Sequence, residues 1–231
     1  MAGRLLEDRT LRDRRFIFRD RADAGKRLAE FLRAEARGDE LVLGIPAGGV
    51  PVGYALMKGL GLAFDLLVVR KLRIPGNPEA GFGALAPDGR MVLNDTLLRG
   101  LGLGREDIER EAERTRKVME HRNETYRHGR PFPDVRGRRV IVTDDGLASG
   151  YTMLAALGFL GRRGAGSLVV AVPTASLRTV RTVQREADLV ACLNVRSGFP
   201  FAVAEAYMHW HDLTDEEVMD IVDRSRQTQG G

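Results

Sequence analysis

The sequence has almost no cysteine: Cys192 is the only one among 231 residues. A single thiol excludes an intramolecular disulfide bond and any zinc site built from paired cysteines. A lone thiol is also usual in a reducing compartment, so we expect a cytoplasmic protein. No apolar run is long enough to cross a membrane, and Met1–Phe16 has no apolar core of a signal peptide. We therefore expect no membrane partner.

Aromatic residues are scarce as well, at 6%, and charges of one sign do not form blocks. Lysine and arginine total 36 against 32 aspartate and glutamate, which gives a net charge of +4 and a pI of about 9.6. This small excess fits anionic small molecules. Because basic residues alternate with acidic ones, we do not expect a nucleic-acid partner. Apolar residues make up 43%, enough for an ordinary core.

Short apolar runs rich in β-branched residues alternate with helical patterns along the chain. The runs predicted as buried strands are Leu41–Ile45, Asp65–Val69, Val140–Thr143, Ser167–Val172 and Asp188–Val195. Helical patterns separate most of them, as in Val52–Gly59 and in the segment that follows Tyr151. This alternation predicts an α/β fold with a central, mostly parallel sheet flanked by helices.

The remaining segments are predicted as additions to that core. Residues 1–20 form an N-terminal arm that ends in a short edge strand at Phe16–Phe18, and the core spans 21–195. Residues 95–130 are a helical insertion whose charged face pairs with itself in solvent, with a dimer surface as the alternative. Residues 196–231 form a C-terminal tail, in which Thr214 and Glu217 match a helix capping box.

The most informative stretch begins where the strand Val140–Thr143 ends. Two carboxylates follow, Asp144 and Asp145, and then a loop of small residues, Gly146–Gly150, that opens a helix. Backbone N–H groups at a helix N-terminus attract phosphate, and hydroxyls in the same loop can add hydrogen bonds. Carboxylates can hold sugar hydroxyls directly or through Mg²⁺. The pattern predicts a ribose 5-phosphate site, and the alternative is an ordinary strand-to-helix turn.

Two further segments point to the same sheet edge. The strand Leu41–Ile45 is followed by a glycine loop at Ala47, Gly48 and Gly49, which can bind a second anion through backbone N–H groups. The strand predicted at Asp65–Val69 ends in Arg70 and Lys71, two cations where α/β sheets place ligands.

Together these segments resemble a known family. Val140–Thr152 resembles the phosphoribosyl pyrophosphate (PRPP) signature of the type I phosphoribosyltransferases. Arg70–Ala84 is similar to the pattern RKxxxPGNPExxxGA of a subgroup of that family with mostly unassigned substrates. The resemblance implies the type I phosphoribosyltransferase fold with a small hood. It also implies a pentosyltransferase that uses Mg²⁺ to move ribose 5-phosphate from PRPP to a nitrogenous base or another amine, releasing pyrophosphate.

The resemblance also implies a role for each candidate residue. Asp144 and Asp145 hold the ribose hydroxyls and orient a magnesium–PRPP complex, while Arg70 and Lys71 serve catalysis on the pyrophosphate side. The 5-phosphate is held by Gly146, Leu147, Ala148, Ser149, Gly150, Tyr151 and Thr152. Pyrophosphate is held by Ala47, Gly48 and Gly49, although many relatives carry a basic residue where this chain has Ala47. Loops of this kind sometimes contain a non-proline cis peptide. Residues 72–86 form a flexible lid that excludes water.

The sequence says less about the acceptor than about the PRPP site. In the family a hood carries the acceptor, and the candidates for stacking it are Tyr207 and Trp210 in the aromatic tail. Relatives that act on 6-oxopurines have a further aspartate where this chain has Ala148, which argues against hypoxanthine and guanine. The resemblance also implies a homodimer.

Other interpretations of these motifs stay open. The main one is a non-catalytic PRPP or nucleotide-binding regulator on the same fold, which Ala47 favours. A receiver-like or phosphatase-like fold with Asp144 as phosphoryl acceptor does not explain the glycine loop. The run Gly81–Ala86 satisfies G-x-G-x-x-A but lacks the strand–turn–helix context of a dinucleotide site. His209 and His211 alone are weak evidence for a metal site.

Overall fold

The computed structural model describes residues 2–229, with the backbone alone at residues 78 and 79. Its nine strands are β1 (Arg4–Glu7), β2 (Leu41–Gly44), β3 (Ala63–Leu66), β4 (Arg70–Ile74), β5 (Asn77–Leu85), β6 (Met91–Leu93), β7 (Arg139–Thr143), β8 (Ser167–Ser176) and β9 (Leu189–Arg196). Its α-helices are α1 (Arg21–Leu32), α2 (Gly49–Leu60), α3 (Asp95–Leu101), α4 (Arg105–Arg127), α5 (Tyr151–Arg162), α6 (Leu177–Val183) and α7 (Asp215–Gln229). Within this range no helix has both the length and the apolar character needed to cross a bilayer.

Six strands form the central sheet in the order β1-β9-β8-β7-β2-β3. All five neighbouring pairs are parallel. Successive side chains of a strand point to opposite faces, so the central strands feed two cores. Val140 and Val142 of β7 pack with one cluster of buried residues, while Ile141 packs with the other. The predicted α/β fold, a central parallel sheet with helices on both faces, is confirmed.

The edge of the sheet differs from the prediction. The edge strand was expected at Phe16–Phe18, but β1 lies at Arg4–Glu7 and pairs with β9, whereas Phe18 forms a single bridge to Tyr207. Part of the segment predicted as an arm therefore belongs to the core sheet. A four-residue strand with two charged ends has no clear local signature, since its stability comes from the neighbouring strand.

The strand expected at Asp65–Val69 begins and ends earlier, as β3 at Ala63–Leu66. Arg70 and Lys71 therefore do not end that strand. They begin β4, which belongs to a separate antiparallel sheet of order β4-β5-β6. The apolar residues between the two strands, Leu67 to Val69, are buried without being part of either sheet. Periodicity alone could not separate a buried connection from a strand.

The predicted lid, residues 72–86, is built as a β-hairpin rather than an irregular loop. β4 and β5 pair in antiparallel register, with Lys71 opposite Ala84 and Ile74 opposite Asn77. Pro75 and Gly76 occupy the turn. Gly76 is its third residue and has a positive φ of 78°, a conformation that glycine adopts without steric strain. The proline and glycine of this segment shape the hairpin turn, and the mobility of the lid stays a prediction.

The helical insertion consists of α3 and α4. Along α4, Arg105 pairs with Glu109 and Arg110 with Asp107, both in solvent. The opposite stripe of α4 is buried and includes Ala112, Thr115, Met119 and Tyr126. The predicted self-paired charged face is thus confirmed.

The capping box of α7 is confirmed too, because Glu217 accepts from the backbone N–H of Thr214 at 2.9 Å, while the N–H of Glu217 donates to the Thr214 hydroxyl at 3.2 Å.

Cys192 provides a simple test of the core. It lies in β9 with no exposed surface, and burial raises the pKa of its thiol to about 12. At pH 8 the thiol is protonated and shielded, so we expect no reaction with iodoacetamide in the folded protein. Mass spectrometry should find one adduct per chain only after unfolding in urea. An adduct under native conditions would show that β9 opens locally.

Candidate active site

A cleft of about 890 Å³ opens where β2 and β7 end. This is the carboxyl edge of the parallel sheet, where open α/β sheets bind ligands. The candidate residues that line it come from every predicted segment: Ala47, Gly48, Arg70, Lys71, Asp144, Asp145, Gly146, Leu147, Ala148, Ser149, Gly150, Tyr151, Thr152 and Trp210. Gly49 lies directly beneath, in the first turn of α2. The fold therefore brings together segments that are far apart in the sequence.

The acidic pair lies at the centre of the cleft. The N–H of Asp145 donates to Oδ1 of Asp144 at 2.8 Å, and Nε of Arg21 donates to Oδ2 of Asp145 at 2.8 Å. Both acids line the cleft, so a ligand hydroxyl or a cation in the cleft can engage their carboxylates.

The pair carries concentrated negative charge. Burial and the charge of Asp145 raise the pKa of Asp144 well above its ordinary value. Burial also raises the pKa of Asp145, although Arg21 opposes that effect. Two neighbouring carboxylates in a partly desolvated cleft disfavour each other's ionised form. A ligand that brings a cation or hydroxyl donors to these oxygens would relieve this repulsion.

The loop after the pair is held from behind by β8 and α6. Thr179 donates its hydroxyl to the carbonyl of Ala148 at 2.5 Å. The loop ends at Gly150, whose φ of 82° turns the chain into α5, and no side chain caps the first turn of that helix. Free N–H groups at a helix start form an anion site. Ala148 and Ser149 are exposed to the cleft.

One predicted member of the phosphate loop needs correction. The N–H of Leu147 donates to the carbonyl of Thr174 at 2.9 Å, and the Leu147 side chain is buried. Leu147 therefore extends the pairing with β8 and has no N–H left for a phosphate. Its side chain anchors the loop in the core instead.

The glycine loop packs directly against the acidic pair. A methyl group added to Gly48 would lie 1.9 Å from Oδ2 of Asp145, and one added to Gly49 would lie 2.5 Å from the carbonyl oxygen of Thr143. The two loops can approach this closely only because neither glycine has a side chain. The peptide bond between Pro46 and Ala47 is cis.

The opposite wall of the cleft is basic. Arg70, Lys71 and Arg73 from β4 face it together with Arg122 from α4. Burial and the nearby charges of Arg122 and Arg73 lower the pKa of Arg70. Arg122 pairs with Asp215 at 2.8 Å. Arg73 lies inside the predicted lid and Arg122 on the insertion, but neither was predicted as a site residue, because only the packing of α4 against β4 brings them here.

The aromatic tail contributes in two different ways. Tyr207 has only 1% of its surface exposed, and its hydroxyl donates to the backbone carbonyl of Asp145 at 2.5 Å. A buried ring cannot stack an acceptor, so the prediction for Tyr207 is corrected: this side chain supports the acidic pair. Trp210 does line the cleft and is partly exposed, so its role as an acceptor platform stays a prediction.

Arg21 is the site residue that the sequence did not reveal. Besides its bond to Asp145, it donates from Nη1 to the carbonyl of His211 at 2.9 Å. These partners lie 124 and 190 positions further along the chain. No local pattern marks the residue, which looks like the ordinary first residue of a helix after the capping Asp20.

His209 and His211, the histidine pair considered as a metal site, lie in the C-terminal tail. His211 contacts Glu217 at 3.1 Å. Within the range that the structure describes, no group of three or more histidine, cysteine, aspartate or glutamate side chains is arranged to hold a metal ion. Asp144 and Asp145 supply two carboxylates, so a metal bound there would also take ligands from outside this pair, such as substrate or water oxygens.

Comparison with known proteins agrees with this architecture. The model of the phosphoribosyl transferase domain matches residues 17–208. The protein TT1426 from Thermus thermophilus is 41% identical, with a TM-score of 0.72 over 89% of this chain and 97% of that one. A Mycobacterium tuberculosis protein, named as a candidate phosphoribosyl transferase in strains H37Rv and CDC 1551, is 37% identical over 211 residues.

These findings define the class of protein: the chain belongs to the phosphoribosyl transferase family. The match with the mycobacterial proteins covers 91% of this chain but 47% of theirs, so the chain spans about half the length of these curated relatives.

Proposed function

We propose that this protein transfers ribose 5-phosphate from PRPP to a nitrogenous acceptor and releases pyrophosphate. The observation that carries the proposal is the meeting of three elements in one cleft: an uncapped helix start, a pair of adjacent carboxylates, and a glycine loop packed against that pair. PRPP has the matching groups, namely a 5-phosphate, a diol and a pyrophosphate.

Each element has a defined task in this proposal. The N–H groups and hydroxyls of Ser149 to Thr152 hold the 5-phosphate. The carboxylates of Asp144 and Asp145 accept hydrogen bonds from the ribose hydroxyls and stabilise the positive charge that develops on the ring. Pyrophosphate lies against Gly48 and Gly49, where Arg70 and Lys71 offset its charge. The hairpin β4–β5 covers the site and limits the access of water.

In the transfer step, a lone pair on the acceptor nitrogen forms a bond to C1 of the ribose. The bond from C1 to the pyrophosphate oxygen breaks, and pyrophosphate leaves with that electron pair. The acceptor nitrogen then loses its proton to solvent. Positioning and charge stabilisation carry most of such a reaction.

Magnesium is the proposed cofactor. The donor set fits it, because two neighbouring carboxylates that line the cleft can hold an ion that keeps ligands from water and substrate. When bound, Mg²⁺ would offset the charge of the pyrophosphate and of the acidic pair. Asp144 and Asp145 are the residues that would hold it.

Calorimetry with PRPP and Mg²⁺ tests the proposal. We expect saturable binding, and we expect the double variant Asp144→Asn, Asp145→Asn to weaken it by about thirtyfold, because charge-assisted hydrogen bonds are lost. The matched control is Glu216→Gln, Asp220→Asn, which removes two exposed acids from α7 and should bind as the wild type does. Equal binding by both double variants would contradict the role of the acidic pair.

A screen of bases and amines that follows pyrophosphate release would then identify the acceptor. We expect hypoxanthine and guanine to be poor acceptors, because Ala148 supplies no carboxylate at the cleft.

The rival function, a PRPP-binding regulator, is favoured by the absence of a basic side chain at Ala47. Tight PRPP binding without pyrophosphate release on any acceptor would support the regulator. The cytoplasmic location and the homodimer stay predictions, and light scattering would test the dimer.

A further inference from the structure

Arg21 connects three parts of the cleft that are otherwise separate. Its guanidinium bonds to the side chain of Asp145 and to the backbone of His211, and it lies 3.8 Å above the ring centre of Trp210. Only 7% of Arg21 is exposed. A buried cation held by an anion, a carbonyl and an aromatic face has a single favoured position.

The contacts of Arg21 fix the side chain of Asp145 at the cleft. Oδ2 of Asp145 accepts from Nε of Arg21 at 2.8 Å, and the same residue lines the cleft. Tyr207 holds the backbone of the same residue through its hydroxyl. Asp145 is therefore fixed at both its side chain and its main chain by residues from α1 and from the segment Tyr207–His211, which we call the hood segment.

The ring of Trp210 is already in contact with other side chains. Arg21 covers one of its faces, and the Tyr207 ring lies at a centroid distance of 5.2 Å and an angle of 42°. Trp210 thus supports Arg21 in the way that a stacking partner supports a guanidinium. Any ligand that changes the charge balance at Asp145 also changes the environment of this ring.

We propose that Arg21 is a positioning residue for sugar binding and that it couples the hood segment to the occupancy of Asp145. The inference rests on the proposed function, since it assigns the ligand diol to the carboxylate of Asp145. Lysine cannot replace Arg21, because an ammonium lacks the planar fork that bonds to Asp145 and His211 while stacking on Trp210.

The test compares Arg21→Lys with Arg27→Lys. Arg27 lies on the same helix, pairs with Asp23 and faces the ring of Phe18, but it does not line the cleft. Calorimetry with ribose 5-phosphate and Mg²⁺ should show affinity weakened about tenfold by Arg21→Lys. Inorganic phosphate, which needs only the phosphate loop, should bind both variants as it binds the wild type.

Trp210 is the only tryptophan, so its emission reports the coupling directly. We expect ribose 5-phosphate to change the emission saturably in the wild type and in Arg27→Lys, and to leave it unchanged in Arg21→Lys. A purely structural ion pair would not link the sugar to the emission. Trp210→Leu, which removes the ring but keeps both hydrogen-bond partners, should weaken ribose 5-phosphate about as much as Arg21→Lys does.

The outcomes separate the two proposals. If the folded wild type binds neither PRPP nor ribose 5-phosphate, the proposed function is wrong. If the wild type binds the sugar, and Arg21→Lys and Trp210→Leu both match its affinity, the role of Arg21 is overturned. Loss of phosphate binding together with sugar binding in Arg21→Lys would also overturn it, because the residue would then support the whole cleft.

Discussion

Replacing Gly48 with alanine is expected to weaken PRPP binding by about 100-fold, because it displaces groups that bind the ligand, and a lost hydrogen bond to a charged group costs about 1.5–3 kcal/mol. The added methyl group would lie 1.9 Å from Oδ2 of Asp145. Either the carboxylate or the glycine loop must therefore shift, and rotation of the carboxylate would break its bond to Arg21. The substitution therefore separates the glycine loop from the acidic pair even if the protein folds normally.

Calorimetry with PRPP and Mg²⁺ measures this effect, with circular dichroism to confirm the fold. The matched control is Gly161→Ala in α5, where an added methyl group meets no atom within 4 Å. That variant should bind PRPP normally and gain about 0.5–1 kcal/mol of stability, since alanine favours a helix over glycine. Normal PRPP binding by Gly48→Ala would show that the contact between the two loops is not needed.

The largest expected effect on stability comes from substituting Arg127, whose hydrogen bonds connect the end of α4 to the core. Its Nη1 and Nη2 each donate to a carboxylate oxygen of Asp65 at 2.9 Å, and Nη2 also donates to the carbonyl of Pro131 at 2.7 Å. A further bond reaches the carbonyl of Leu66 at 3.2 Å. Arg127 is only 2% exposed, so water cannot replace these donors.

We expect Arg127→Met to lower the free energy of unfolding by about 3 kcal/mol, the lower end of the range for breaking a buried ion pair. The lower end applies because the side chain of Asp65 is 33% exposed and keeps some hydration. For a chain of this length the loss corresponds to a fall in Tm of about 6–12 °C.

Urea unfolding, monitored through the fluorescence emission of Trp210, would measure the loss of stability in Arg127→Met. The control is Arg105→Met, which removes an exposed pair with Glu109 on the same helix and should cost less than about 0.5 kcal/mol. If the two variants were equally stable, the insertion would not depend on the Arg127 contacts.

The candidate site could be predicted where it is local in the chain. From Asp144 to Thr152 the strand end, the acids, the glycine loop and the helix start follow one another, so their order alone places them side by side. The glycine loop was predictable for the same reason, since it joins β2 directly to α2. Leu147 is the exception within this stretch, because its pairing with Thr174 depends on β8.

The residues that sequence reasoning missed are held by distant partners. Arg21 belongs to the site through Asp145 and His211, and Arg122 belongs to it because α4 packs against β4. Tyr207 was assigned to the acceptor because it is aromatic, whereas its surroundings bury the ring and leave its hydroxyl to support Asp145. Side-chain type indicates what a residue can do, but its neighbours decide which of those things it does.

The amino-acid sequence by itself determined the α/β alternation, the parallel sheet and the two glycine-containing loops at the strand ends, because hydrophobic periodicity, glycine and charge act over a few residues. Only the tertiary structure decided that the lid segment is a hairpin, that β1 lies at Arg4–Glu7, and that Arg21 completes the acidic pair. Strand pairing and buried ion pairs depend on contacts between remote segments, whose free energy appears only when the chain is folded.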